Sequence, residues 1–245
     1  MNDLRPDFEP KRKSANHKID SQFEDILSTA NSSLSAIEKE LLTEVKPNKQ
    51  PFYCICFAPR SGSTYLSQIL ADSDKFNYVS NFIARFWDAP YFAGLLEEKV
   101  QIRKYTKSSI GDIKNNYGVT NSPSEPHEFG FFWNKWFNYF GETNFVESIV
   151  DERIFSLEME ALKSIHDKPF LIKNSIVGYN PALISTVLKN THFIVLKRNP
   201  LFTAQSIYKS RLEIYNSPAV FFSLRPKSYS NIVQLPIEEQ IVKQI

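Results

Sequence analysis

The fold is decided by the stretch FYCICFAPRSGSTYLSQIL, residues 52–70. Its first part is an apolar run, rich in aromatic and β-branched residues and too short for a helix, which predicts a buried strand at 51–57. Helical spacing resumes at Thr64 and continues to residue 72. The turn between them, PRSGST (59–64), presents backbone N–H groups at a helix start, where an anion is favoured. The stretch therefore predicts a strand, an anion-binding turn and a helix.

The side chains of this turn indicate the kind of anion that it suits. Ser61, Ser63 and Thr64 offer hydroxyl donors, and Arg60 adds a planar fork that matches a tetrahedral oxyanion. Gly62 is the only glycine in a strand-turn-helix setting. A nucleoside triphosphate loop would need Gly-Lys-Ser/Thr, which is absent, and the absence of any GxG excludes a dinucleotide fingerprint. A plain strand-helix connection with a capping serine remains the alternative.

The rest of the chain continues the alternation of strands and helices. Further strands are predicted at 169–173 and 192–197, and further helices at 180–190 and 199–215. This order predicts an α/β fold of three layers, α/β/α, with a central parallel sheet. The carboxyl ends of parallel strands lie along one side of the sheet and open onto a shared crevice. Arg60 and Arg198, which both follow predicted strands, are therefore expected at this end of the strands.

Composition narrows the class of protein. The chain has 245 residues, of which 42% are hydrophobic and 23% charged, a profile typical of soluble globular proteins. A net charge of +2 argues against a dedicated nucleic-acid binder. No apolar run is long enough for a membrane span, and no signal peptide is recognisable. Cys54 and Cys56 are interpreted as reduced core residues, so a cytoplasmic location is expected.

The pattern along the chain predicts two parts. Residues 1–47 form a polar N-terminal segment, loosely ordered at first, with an amphipathic helix over 23–45 that ends before Pro47. This helix either lies on the domain or pairs with another chain in a homodimer. Residues 48–245 form a single domain, in which 75–150 is a helical, aromatic-rich insertion.

A second motif strengthens the anion site. RNPLFTAQS (198–206) begins with Arg198 at a strand end, continues with a helix start at Asn199 and Pro200, and reaches Ser206 in the helix. Together the two motifs resemble the sulfotransferases that use 3′-phosphoadenosine 5′-phosphosulfate (PAPS). In that family a Pro-(Lys/Arg)-Ser-Gly loop precedes an Arg-x-Pro motif that has a serine eight residues after the arginine. PRSGST and HFIVLKRNP look more like the carbohydrate and bacterial branch.

The resemblance implies a P-loop-NTPase-like sulfotransferase fold and PAPS as co-substrate, with no metal. Arg60 and the backbone of 61–64 would hold the 5′-phosphosulfate, and Arg198 with Ser206 would hold the 3′-phosphate. The reaction would transfer a sulfuryl group to a hydroxyl of a carbohydrate or related metabolite. The resemblance covers roughly 51–215.

The acceptor hydroxyl needs a general base, and the candidates lie in EPHEFGFFW (125–133). Glu128 is favoured and His127 is second; a capping acid and a satisfied histidine are the alternatives. Lys173 and Asn174 follow a predicted strand and are similar to the family's Lys-Asn/Thr at the sulfuryl site, although a plain surface strand end has the same sequence.

The resemblance implies that the insertion 75–150 forms the acceptor side, where two more residues are candidate acceptor contacts. Trp133 belongs to an aromatic block, 129–140, that suits either sugar rings or a hydrophobic cap. Arg85 lies in an apolar setting and is expected to meet an acidic acceptor group, the donor, or a structural partner such as Asp88 or a glutamate.

The chain departs from the family after the second motif. The family usually continues well beyond it with a loop that closes over the 3′-phosphate, so we expect a C-terminally short domain. Arg225 and Lys227 are candidate substitutes for that loop. Two alternatives to an active sulfotransferase remain: a nucleotide kinase of related fold, and a truncated, non-catalytic nucleotide-binding homologue.

Overall fold

A four-stranded parallel sheet lies at the centre of the fold. The structure is a computed structural model that describes residues 21–106, 120, 122–137, 146, 148–223 and 225–245. The strands are β1 (Phe52–Phe57), β2 (Asn77–Tyr78), β3 (Phe170–Lys173) and β4 (Thr191–Leu196). Their order is β2-β3-β1-β4, and every pairing is parallel. The predicted α/β class with a parallel sheet is confirmed.

Helices connect and cover the strands. They are α1 (Ser21–Leu42), α2 (Ser63–Asp72), α3 (Pro90–Lys99), α4 (Ile102–Thr106), α5 (Gly130–Phe137), α6 (Glu152–Ser164), α7 (Ser175–Tyr179), α8 (Pro181–Val187), α9 (Pro200–Tyr215), α10 (Tyr229–Ile232) and α11 (Ile237–Gln244). A short 3-10 helix spans Ile83–Arg85. The predicted ends of β1, β3, β4, α2 and α9 agree with the structure within one residue, whereas α8 ends three residues earlier than predicted.

The core packs aromatic rings of α5 and α6 beneath the two central strands. Phe52 of β1 and Phe170 of β3 are fully buried and meet edge to face, with ring centroids 6.0 Å apart. Phe155 of α6 contacts the rings of Phe132 and Trp133 from α5. The aromatic block, as far as residue 137, therefore forms a hydrophobic cap over the sheet; residues 138–145 lie outside the described part.

Helix α1 packs against the domain through polar side chains. Asn31 is fully buried; its amide donates to Arg85 O at 2.8 Å and accepts from Asp88 N at 2.9 Å. The Glu38 carboxylate accepts from Tyr91 N and Phe92 N, which are N–H groups of the first turn of α3. Helix α1 therefore lies on the domain, which is the first of the two alternatives drawn from the sequence. Its pairing with a second copy of the chain stays a prediction.

Exposure differs along the sheet. All four residues of β3 are buried, whereas β4 forms one edge of the sheet and exposes Val195.

Cys54 and Cys56 are both free, as expected, and Cys54 is buried. Within the described residues, no helix is long and apolar enough to cross a membrane. The expected loose order of residues 1–20 falls outside that part of the chain.

Candidate functional site

The PRSGST turn joins β1 to α2 through a left-handed backbone. Gly62 precedes the first residue of α2 and has φ of 97°, a conformation that glycine adopts without steric cost. Arg60 also has positive φ, 66°, which is uncommon for a residue with a side chain. Ser61 N–H donates to Ala58 O at 3.3 Å and closes the turn. These backbone conformations turn the chain from the end of β1 into the first residue of α2.

The RNPLFTAQS turn meets the first turn directly. Arg60 Nε donates to Ser206 Oγ at 3.1 Å, and Arg198 Nη1 donates to the carbonyl oxygen of Arg60 at 2.8 Å. Asn199 caps α9 by accepting from Leu201 N at 2.9 Å, which sets the direction of the helix that carries Ser206. The two arginines therefore lie together at the carboxyl ends of β1 and β4, as expected from the sequence.

Donors and positive charge accumulate where the turns meet. Burial lowers the pKa of Arg60, and the neighbouring charge of Arg198 lowers it further, while Glu213 acts in the opposite direction. Two like charges at one place are unfavourable unless an anion lies between or beside them. The Ser61 hydroxyl is buried and has no hydrogen-bond partner among the described residues. These features suit an oxyanion beside the start of α2.

A third strand end brings Lys173 to the same place. Its Nζ donates to Thr64 Oγ1 at 3.0 Å and forms an ion pair with the Glu128 carboxylate. Lys173 is the last residue of β3 and is buried, although Glu128 is partly exposed. Lys173 therefore connects the PRSGST turn, through Thr64, to the candidate base Glu128.

Asn174 holds backbone groups on both sides. Its Oδ1 accepts from Ile176 N at 2.7 Å and caps α7, and its Nδ2 donates to Glu128 O at 2.7 Å. With both ends of the amide engaged and the residue buried, the structure supports a positioning role for Asn174 and offers no support for a direct ligand role.

The segment 127–129, which we call the base loop, has a constrained shape. His127 N–H donates to Val79 O at 2.9 Å, and His127 Nδ1 accepts from Phe129 N–H at 2.8 Å. Phe129 has φ of 59° and is buried, with its ring stacked on Phe132 at 4.4 Å between centroids. These contacts leave Glu128 facing Lys173 with its side chain partly in solvent.

His127 is exposed to solvent, yet protein atoms lie close around its ring. This crowding removes hydration that a charged ring would need and lowers the pKa of His127 to about 4. The positive charges of Arg85 and Lys173 act in the same direction, and Glu128 opposes them. The ring is therefore neutral near pH 7.

Two predicted acceptor residues have structural partners. Trp133 is only 2% exposed and packs on Phe137 and Phe155, so its ring faces are closed to a sugar. Arg85 Nη1 lies 3.6 Å from Glu24 Oε1 of α1. Of the partners considered from the sequence, the structure therefore gives Arg85 a structural ion pair with a glutamate. Its side chain is 53% exposed and remains accessible to a ligand.

Some neighbours of the site carried no sequence signal. Glu24 reaches Arg85 from α1, and Glu213 acts on Arg60 from a later turn of α9. Both are ordinary acidic residues of amphipathic helices, and only the packing of those helices brings them to the site. Arg225, a candidate for the 3′-phosphate, lies over the ring of Tyr229 at 4.6 Å.

The chain was not assigned to a family by comparison with known proteins. Comparison of the chain with protein-family models, with curated proteins and with solved structures finds no match in any of the three. Within the described residues, no group of three or more His, Cys, Asp or Glu side chains could hold a metal ion. The site is therefore interpreted from its own geometry.

Proposed function

We propose that the protein is a sulfotransferase that moves a sulfuryl group from PAPS to a hydroxyl of a carbohydrate or related metabolite. The observation that carries the proposal is the convergence of Arg60, Arg198, Ser206 and the unpartnered Ser61 hydroxyl at the start of α2. Two cationic turns that follow different strands and meet at one place suit a ligand that carries two phosphate groups, and the missing Gly-Lys-Ser/Thr argues against a triphosphate.

Each donor residue has a role in this mechanism. Arg60 and the backbone N–H groups of 62–64 would bind the 5′-phosphate and stabilise charge on the sulfuryl oxygens as the phosphate leaves, since the N–H of Ser61 already donates to Ala58 O. Arg198 and Ser206 would bind the 3′-phosphate. Lys173, which already contacts Thr64, would stabilise the charge that develops between the sulfuryl group and the acceptor. Positioning and electrostatic stabilisation do most of the work in such in-line transfers.

Glu128 would be the general base. Its carboxylate is partly exposed and is held by Lys173 close to Thr64 of the donor loop. In the transfer step the acceptor oxygen forms a bond to sulfur, the bond from sulfur to the 5′-phosphate oxygen breaks, and the hydroxyl proton moves to Glu128. Adenosine 3′,5′-bisphosphate leaves as the second product.

The donor site is tested by calorimetric titration with adenosine 3′,5′-bisphosphate and, separately, with ATP and Mg²⁺. We expect tight binding of the bisphosphate only, and a loss of about 10- to 100-fold in each of Arg60→Ala and Arg198→Ala, because each removes a charge-assisted hydrogen bond. Arg153→Ala removes an exposed arginine of α6 and serves as the control. A preference for ATP would support the kinase alternative and contradict the proposal.

Ser61→Ala separates ligand binding from folding. The hydroxyl has no partner among the described residues, so its removal should not lower stability, whereas bisphosphate affinity should fall about 10-fold. Transfer itself is measured with PAPS and a set of hydroxylated acceptors. Bisphosphate binding without transfer to any acceptor would favour the non-catalytic binding protein.

A further inference from the structure

The geometry of His127 indicates which proton it carries. Its Nδ1 accepts a hydrogen bond from Phe129 N–H at 2.8 Å. A neutral imidazole that accepts at Nδ1 must carry its proton on Nε2. Among the described residues Nε2 has no hydrogen-bond partner, and the ring is exposed to solvent. His127 therefore presents an N–H donor to solvent, and Glu128 is the next residue in the chain.

The same geometry excludes His127 as a base in this conformation. The nitrogen that could accept a proton is engaged with the backbone of the base loop, and the exposed nitrogen is already protonated. Loss of hydration, together with the charges of Arg85 and Lys173, keeps the ring neutral near pH 7. Within the base loop, the Glu128 carboxylate is then the group that can take up a proton, and His127 Nε2–H is a hydrogen-bond donor.

We propose, on the basis of the sulfotransferase function above, that the acceptor is held through two neighbouring oxygens. The attacked hydroxyl donates to Glu128, and a second oxygen accepts a hydrogen bond from His127 Nε2–H. A site of this kind selects sugars and polyols, in which a second oxygen lies next to the hydroxyl. It discriminates against an isolated phenol or alcohol, which would leave the His127 donor unpaired.

The tautomer is tested without any acceptor, by NMR of the protein labelled with ¹⁵N in its histidine rings. The chain has four histidines, and the signals absent from His127→Asn identify those of His127. We expect the Nε2–H tautomer with shifts that stay constant from about pH 5.5 to about pH 8. An Nδ1–H tautomer, or a titration near the ordinary histidine pKa, would overturn the proposal.

A matched pair of variants separates the donor from the loop contact. In His127→Asn the amide oxygen can replace Nδ1 as the partner of Phe129 N–H, but the donor is lost. In His127→Gln the amide nitrogen can replace Nε2, but the loop contact is lost. We expect about a 10-fold higher acceptor KM in the first variant and a lower kcat with little change in KM in the second. Equal effects of the two variants on KM and kcat would make His127 a purely structural residue.

The substrate class is tested by turnover of PAPS with methyl glycosides and with 4-nitrophenol, next to the bisphosphate titration. Turnover confined to the glycosides supports the proposal. Bisphosphate binding with equal turnover of 4-nitrophenol, or with turnover of neither class, overturns it while leaving the donor site intact. Absence of bisphosphate binding overturns the sulfotransferase function itself.

Discussion

Two residues of the candidate site have left-handed backbone conformations although they carry large side chains. Arg60 has φ of 66° and Phe129 has φ of 59°. Each conformation costs on the order of 1–2 kcal/mol, and surrounding contacts must offset it. Ser206 and Arg198 hold Arg60, while His127 holds Phe129. The strain therefore lies in the PRSGST turn and in the base loop.

Gly62 offers a test of this backbone geometry that involves no lost contact. A Cβ at Gly62 would meet nothing within 4 Å, so Gly62→Ala should destabilise the protein only through its φ of 97°, by about 1–2 kcal/mol. Gly130→Ala is the control, because its Cβ would also meet nothing within 4 Å. Gly130 has no positive φ and begins α5, so alanine should stabilise it by about 0.5–1 kcal/mol. Chemical denaturation measures both changes, and equal effects would contradict the argument.

At the scale of elements, α1 is attached by hydrogen bonds as well as by apolar contact. Asn31→Ala removes the amide that joins Leu27, Arg85 and Asp88 and leaves buried backbone groups unpaired. We expect a loss of roughly 1–3 kcal/mol in stability and faster hydrogen exchange along α1. Ser32→Ala, at an exposed neighbouring position, is the control and should change neither quantity. If the two variants behave alike, α1 is held by apolar contacts alone.

The junction of α5 and α6 makes stability depend on pH. Burial raises the pKa of Glu158 to about 7, against the opposing effects of Lys135 and of the hydrogen bond from Trp136. Because the folded state binds this proton more tightly than the unfolded state, the contribution is complete below about pH 4.5 and is lost as the pH rises through about 7.

Glu158→Gln should remove this dependence, which is on the order of 3 kcal/mol between the two ends of the range. Unfolding free energies measured at several pH values from 5 to 8 should fall less steeply for the variant than for the natural chain. Glu152→Gln, at an exposed position at the start of α6, should keep the original slope. An unchanged slope in Glu158→Gln would show that another group carries the pH dependence.

At the scale of the whole molecule, the sheet has one apolar edge in contact with solvent. Val195 of the edge strand β4 is 65% exposed, and Leu201 and Phe202 of α9 are exposed as well. An exposed apolar edge strand favours association between chains. Val195→Lys should therefore lower concentration-dependent association in sedimentation experiments. Val242→Lys, at a residue of α11 that is 67% exposed, should not.

Local signals in the sequence predict three of the four strands and the helices α1, α2, α8 and α9. Apolar runs located β1, β3 and β4, and Asn199 with Pro200 located the start of α9. By contrast, β2 has two residues and α7 has five, so neither contains enough repeats for a periodic pattern. The positioning role of Asn174 depends on its contact with Glu128 O, which lies 46 residues away along the chain, in addition to its local cap contact with Ile176 N.

Alternatives that were left open depended on distant segments. The sequence could not decide whether Trp133 meets a ligand or the core, because its neighbour Phe155 belongs to a different helix. Similarly, the ion pair of Lys173 with Glu128 joins residues that lie far apart along the chain. Such contacts follow from the way that helices pack on the sheet, which no local spacing encodes.

By itself the sequence determined the alternation of strands and helices, the glycine-containing turn after β1 and the second turn, which follows β4 at the same end of the parallel strands. These features follow from backbone preferences and hydrophobic periodicity, which act over a few neighbouring residues. Only the tertiary structure decided that α1 lies on the domain, that the described part of the aromatic block fills the core, and that His127 Nδ1 accepts a hydrogen bond from Phe129 N–H. Those outcomes depend on burial and on hydrogen bonds between segments, which exist only once the chain has packed.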